Sequence, residues 1–169
     1  MKKLLMPDFY VKSIYHLDFE KLKEMGIINL IIDIDNTLMD WGSKKPDDNV
    51  INLISALKKE GFNICLLSNS RGTRVKNFMA GMNIEYFNFG IKPMKIKFIG
   101  ALKKLNGTCK NTCVIGDQIF TDIFGGNRCS LYTVLVDPKT SNEFIGTRLM
   151  RRLEKRIRQK LVYEKNLIK

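Results

Sequence analysis

Four short stretches of this chain place carboxylates, hydroxyls and a lysine at the exits of apolar runs. The first is Asp33-Ile34-Asp35-Asn36-Thr37-Leu38, directly after Ile27-Ile28-Asn29-Leu30-Ile31-Ile32. Two carboxylates one residue apart at the end of a buried strand repel. Like charges about 4 Å apart cost roughly 4 kcal/mol at an effective dielectric near 20. A divalent cation or a shared proton removes that cost. The pair suits attack on phosphorus, with one Asp as nucleophile and the other moving the proton.

The second stretch is Leu66-Leu67-Ser68-Asn69-Ser70-Arg71-Gly72. Ser68 can donate to a phosphate oxygen, and a helix start behind it would add free backbone N–H groups. Ser-Asn is equally a turn or cap pair. The third is Ile91-Lys92-Pro93, whose ammonium would offset charge on a transferring group; Lys95 and Lys97 compete for that role. The fourth is Val114-Ile115-Gly116-Asp117-Gln118-Ile119-Phe120-Thr121-Asp122. Magnesium takes oxygen ligands and keeps several waters, so Asp33, Asp117 and one backbone carbonyl suffice to hold it. Asp122 has two open readings, metal partner or helix cap.

Strands are expected over 27–33, 62–68, 84–88, 112–116 and 131–136. Pro46-Asp47-Asp48 marks a helix start, Val50, Leu53, Ile54 and Leu57 recur at helical spacing, and Gly61 is a stop. Val75, Phe78 and Met79 give a second helix closed by Gly81, and Phe98, Leu102 and Leu105 a third closed by Gly107. A short fourth covers 119–128. Strands alternating with helices predict an α/β fold, a Rossmann-like, mostly parallel sheet with helices on both faces. Ligands of such sheets bind beyond the carboxyl ends of the strands, where Asp33, Ser68 and Asp117 fall.

The 169 residues suffice for one domain with a real core, and 44% apolar and 27% charged content is ordinary for a globular chain. The formal charge of +12 is not, and it points to an anionic partner. Apolar runs of about six residues fall far short of the ~20 that span a bilayer. Met1-Lys2-Lys3-Leu4-Leu5 carries no adequate apolar signal region. The cysteines 65, 109, 113 and 129 read as reduced thiols. Cys109 and Cys113 have zinc-like spacing, but His16 is the only histidine and no second close Cys pair exists.

The order and spacing of the four stretches resembles the haloacid dehalogenase (HAD) phosphatase superfamily over about residues 27–136. More narrowly, Asp-x-Asp-Asn-Thr-Leu with Trp41, Leu-Ser-Asn, Lys-Pro, and Gly-Asp-Gln-x-x-Thr-Asp with Gly125-Gly126-Asn127-Arg128 resemble the YqeG-like group of HAD subclass IIIA. The upstream Pro7-Asp8-x-Tyr10-Val11-x-Ser13-Ile14 is similar to that group as well. The resemblance implies that Asp33 forms an aspartyl-phosphate, and that Asp35 protonates the leaving alcohol and then activates water. It implies that Ser68, Asn69 and Lys92 hold the phosphate, and that Thr37 steadies the loop with its hydroxyl reaching Asp35. It implies Mg²⁺ held by Asp33, Asp35 through its carbonyl, and Asp117, with Asp122 as ligand or outer partner. Trp41 is expected on a flap, or alternatively in the core.

From Asp35 to Ser68 there are 33 positions and from Ser68 to Lys92 there are 24, too few for a cap domain. An open site suits phosphate on a large substrate. Ile145, Leu149, Leu153, Ile157 and Leu161 recur every four residues, and residues 148–169 hold nine basic side chains against two acids. The chain thus divides into a capless domain over 1–142 and a basic amphipathic helix over 143–169. That helix either anchors on anionic lipid or covers the sheet with its cations in water. The resemblance extends to HAD-type phosphatidylglycerophosphate phosphatases of phosphatidylglycerol synthesis. The substrate expected is therefore that lipid headgroup, for a cytoplasmic protein in peripheral contact with the inner face of the membrane. A soluble phosphatase of a sugar phosphate or nucleotide is the alternative. So is a nucleic-acid or ribosome-associated binding protein, against which no nucleic-acid motif is visible.

Overall fold

The computed structural model describes residues 4–43, 45–69, 84–87, 91–140 and 145–161, the side chains of 145–149 excepted. Its described strands are β1 (Phe9–Val11), β2 (Asn29–Asp33), β3 (Asn63–Leu67), β4 (Glu85–Tyr86), β5 (Thr112–Gly116) and β6 (Tyr132–Val136). They form one sheet in the order β1-β6-β5-β2-β3-β4, with every pair parallel. The described helices are α1 (Phe19–Glu24), α2 (Asp48–Lys59), α3 (Lys95–Lys104), α4 (Phe124–Arg128) and α5 (Ile145–Arg158). The helix expected around Val75, Phe78 and Met79 lies outside the described residues.

The central strands are apolar between their end residues because both faces are covered. Successive side chains point to opposite faces. Leu30, Ile32, Ile64, Leu66, Cys113 and Ile115 join Leu22 of α1 and Val50, Ile54 and Leu57 of α2 in one core cluster. Ile31, Cys65, Leu67 and Val114 pack against Phe98 and Ala101 of α3 in another. Burial in that second cluster pushes the Cys65 thiol up to about 12, so it serves as a small apolar residue.

Local signals set the element ends. The Asp47 carboxylate accepts from Val50 N at 2.9 Å and caps α2. Gly61, at φ +88°, takes the left-handed turn after that helix, which a side chain would resist. The segment 119–128 is not one regular helix. It starts with a π-helical turn, Ile119–Ile123, and passes into the five residues of α4. β1 went unforeseen because three residues carry no alternation to detect. Tertiary pairing creates it: the Asp8 carboxylate accepts from Thr133 N at 2.8 Å and Thr133 Oγ1 at 3.1 Å, which sets β1 beside β6.

Candidate active site

β2 and its neighbour β5 send the chain in opposite directions along the sheet, β2 on to β3 and β5 on to β6, so the crevice at their carboxyl ends is a ligand position. Asp33 is the last residue of β2. Ile32 is in register with Ile115, so Asp117 emerges beside Asp33 from the neighbouring strand. The turn after Asp33 is tight: Leu38 N and Met39 N both donate to Ile34 O, at 3.1 and 3.2 Å. Asn36 sits at φ +62°, a conformation that asparagine tolerates better than most side chains.

Asp33, Asp117 and Asp122 are all buried, and each offers a carboxylate oxygen within 4.8 Å of the others. The Thr37 hydroxyl lies 3.2 Å from Asp33 Oδ2 and 3.4 Å from Asp117 Oδ1, so those two oxygens face each other across it. That hydroxyl was expected to reach Asp35. It turns instead toward the two neighbouring strand ends, because the tight turn folds Thr37 back over Asp33.

The Lys92 ammonium is ion-paired with Asp33 Oδ1 and with Asp122 Oδ1, the latter at 2.7 Å. Asp122 lies inside the π-helical turn and not at its N-cap, which is Gln118. Its other oxygen accepts from Gln118 N at 3.1 Å, closing the π-helical turn, while Oδ1 faces the cluster. Gly116 makes room for this: a Cβ there would lie 2.4 Å from Asp122 Cγ. Burial pushes the Asp33 carboxyl well above the usual range; Lys92 pulls it down, and Asp122, Asp117 and Asp35 add repulsion. Burial works against the Lys92 charge, but Asp122 and Asp33 outweigh it and hold its pKa above the ordinary value. Asp117 is raised to about 6 by burial, with Arg151 opposing the rise. Three hard oxygen donors crowded in a buried cluster form a group able to hold a metal ion, and their chemistry fits magnesium.

The other expected residues gather around this cluster. Ser68, buried at the exit of β3, donates to Asp35 Oδ2 at 3.2 Å. Asn69 faces a main chain: its Oδ1 accepts from Lys92 N at 2.8 Å and its Nδ2 donates to Lys92 O at 3.3 Å. It joins the loops that carry Ser68 and Lys92. Of the three lysines competing for the phosphate role, Lys92 reaches the carboxylates, Lys95 is exposed, and Lys97 is buried with its ammonium on Ser68 O. Burial and the nearby charge of Lys92 lower Lys97 to about 8. Trp41 is 45% exposed beyond the nucleophile turn and so is not a core residue.

One part of the site comes from the C-terminal helix, expected either to anchor on anionic lipid or to cover the sheet with its cations in water. Arg151 and Arg158 of α5 both donate to Asp117 O, Arg151 also pairs with Asp117 Oδ2, and buried Glu154 lies between the two arginines. The spacing Arg151-x-x-Glu154-x-x-x-Arg158 puts these residues on one helical face, which was the available signal. Ile157 and Leu161 pack against Ile119, Ile123 and Leu135. Leu153, in the same every-four series, is 56% exposed.

A parallel α/β sheet with an acidic cluster and a lysine at its switch point defines a class, and the chain belongs to it: it is a haloacid dehalogenase-like hydrolase, matching that family over residues 8–129. It is 36% identical over 157 residues to a Bacillus subtilis (strain 168) protein named "Probable phosphatase YqeG", covering 93% of this chain and 91% of that one. The relationship and the acidic cluster make it an enzyme of the HAD phosphatase type. It is also 28% identical over 169 residues to an Arabidopsis thaliana protein named "Phosphatidylglycerophosphate phosphatase 1, chloroplastic/mitochondrial". That match covers 90% of this chain and 47% of the relative, so the chain spans about half of its length. Among solved structures, a predicted HAD-like family hydrolase from Porphyromonas gingivalis shares the fold at TM-score 0.55 and 12% identity, over 75% of this chain and 98% of that one.

Proposed function

We propose that this enzyme is a Mg²⁺-dependent phosphomonoester hydrolase that works through an aspartyl-phosphate on Asp33, with phosphatidylglycerophosphate as its substrate. The observation that carries the chemistry is the buried Asp33–Asp117–Asp122 cluster with Lys92 bridging two of its members. An Asp33 oxygen attacks phosphorus, and the ester P–O bond breaks. The leaving oxygen takes its proton from the Asp35 carboxyl. Asp35 then removes a proton from water, the water oxygen attacks phosphorus, and the bond to Asp33 breaks, so both residues return to their starting forms. Ser68 beside Asp35 and Lys92 beside Asp33 support the reading that these two side chains donate to the phosphoryl oxygens. Asp33, the Asp35 carbonyl and Asp117, with Asp122 as ligand or outer partner, would hold Mg²⁺. The ion supplies charge neutralisation on the transferring group. Asn69 keeps Lys92 in place rather than meeting the phosphate itself.

The lipid assignment is supported by what surrounds the site. Exposed Ile91 and Met94 flank the Lys92 loop, and Trp41 stands beyond the nucleophile turn. On α5, exposed Leu153 accompanies exposed Arg152, Lys155 and Arg156. Apolar and basic side chains side by side suit peripheral contact with an anionic bilayer. No helix among the described residues is long and apolar enough to cross a membrane. The name of the Arabidopsis relative agrees with this substrate.

The test is Mg²⁺-dependent phosphate release from phosphatidylglycerophosphate in mixed micelles, sugar phosphates, nucleotides and a phosphopeptide. Selective turnover of the lipid is expected, and Asp33→Asn should abolish it while circular dichroism stays unchanged. Inertness toward the lipid with good turnover of a soluble ester would move the assignment to the soluble phosphatase.

A further inference from the structure

We propose that Arg151 is a positioning residue for the metal-binding carboxylate, so that helix α5 completes the active site. This rests on the metal reading above. Asp117 has two side-chain oxygens with different neighbours. Oδ1 is turned toward Asp33 across the Thr37 hydroxyl, and Oδ2 is ion-paired with Arg151. A divalent ion shared with Asp33 therefore draws on Oδ1, while the guanidinium keeps Oδ2.

Arg151 holds more than one atom of Asp117. Its Nη1 also donates to Asp117 O, so one guanidinium spans the main chain and side chain of a single residue and fixes the carboxylate plane. Arg151 is itself held, because Glu154 Oε2 accepts from Nη1 at 3.2 Å. Glu154 is 1% exposed, and its Oε1 accepts from Phe120 N at 3.1 Å. The same glutamate thus ties α5 to the π-helical turn that presents Asp122. Arg158 adds a donor to Asp117 O and pairs with Asp137 at 3.2 Å. These contacts are built into the fold, unlike the outer cations of the same helix. Partners that orient a ligating carboxylate from outside its metal are typically worth about 10- to 100-fold in metal affinity.

The measurement is Mg²⁺ binding by calorimetry on the full chain without substrate, with circular dichroism to verify folding. Arg151→Gln is expected to weaken Mg²⁺ about 10- to 100-fold. Arg151→Lys, which retains a donor for Oδ2, should recover part of the loss. Glu154→Gln preserves shape and the bond from Phe120 but frees Arg151, and is expected to weaken Mg²⁺ by about tenfold. Should Arg151→Gln fail to fold, Glu154→Gln decides. Lys59→Gln, an equal charge change on the distant end of α2, should leave Mg²⁺ affinity unchanged. Folded Arg151→Gln or Glu154→Gln that binds Mg²⁺ as tightly as wild type, or more tightly, overturns the proposal and makes Arg151 a bystander or a competitor. Failure of the wild type to bind Mg²⁺ would remove the metal reading itself.

Discussion

Asp33, Asp117 and Asp122 are tolerable neighbours only because cations reach them: Lys92 touches two of the three and Arg151 the third. Lys97 plays a different part. It is a buried cation whose partner is the carbonyl of Ser68, at the end of β3. Its folded pKa of about 8 lies below the ordinary lysine value of 10.5, so between these values the unfolded chain binds more protons than the folded one. Its contribution to stability therefore rises with pH across that window. Urea titrations at pH 7.5 and 10.5 should show wild type gaining on Lys97→Met as pH rises; a constant difference would contradict the lowered pKa. Asp33, Ser68 and Asp117 could be read from sequence because each follows an apolar run at a strand exit, and Asp35 because it lies two residues past the first of them. The choice among Lys92, Lys95 and Lys97 could not, because burial and partner decide it.

Gly116 and the π-helical turn work as one device. The missing side chain lets the Asp122 carboxylate fold back against β5, and the extra residue of the turn aims it at Lys92. Gly116→Ala should displace Asp122, destabilise the fold by about 1–3 kcal/mol and sharply reduce Mg²⁺ affinity, as read by denaturant titration and calorimetry. A variant with wild-type metal binding would show that Asp122 does not need this place. The strands and α2 and α3 follow from apolar runs, periodicity and caps. β1 and the direction of the C-terminal helix do not. A four-residue repeat advances about 40° per step on a helix of 3.6 residues per turn, so an every-four stripe winds around the axis. Ile157 and Leu161 meet the domain while Leu153 has rotated toward solvent.

The formal charge of +12 acts at the scale of the whole molecule. With Arg151 and Arg158 turned inward, Arg152, Lys155 and Arg156 are exposed cations among the described residues of α5. Sedimentation with vesicles should show binding to anionic but not neutral lipid, weakening as salt shortens the screening length toward 10 Å at about 0.1 M. Leu153→Glu should reduce that binding several-fold without changing turnover of a soluble ester; equal binding would place the contact elsewhere. The sequence by itself determined the parallel α/β scaffold and the acids at its strand exits, because hydrophobic runs and the residues that end them are local properties. Only the tertiary structure decided which cations neutralise those acids and that α5 reaches Asp117. Pairing between residues 34 apart in sequence depends on how the helix rotates and docks, and no local pattern encodes that.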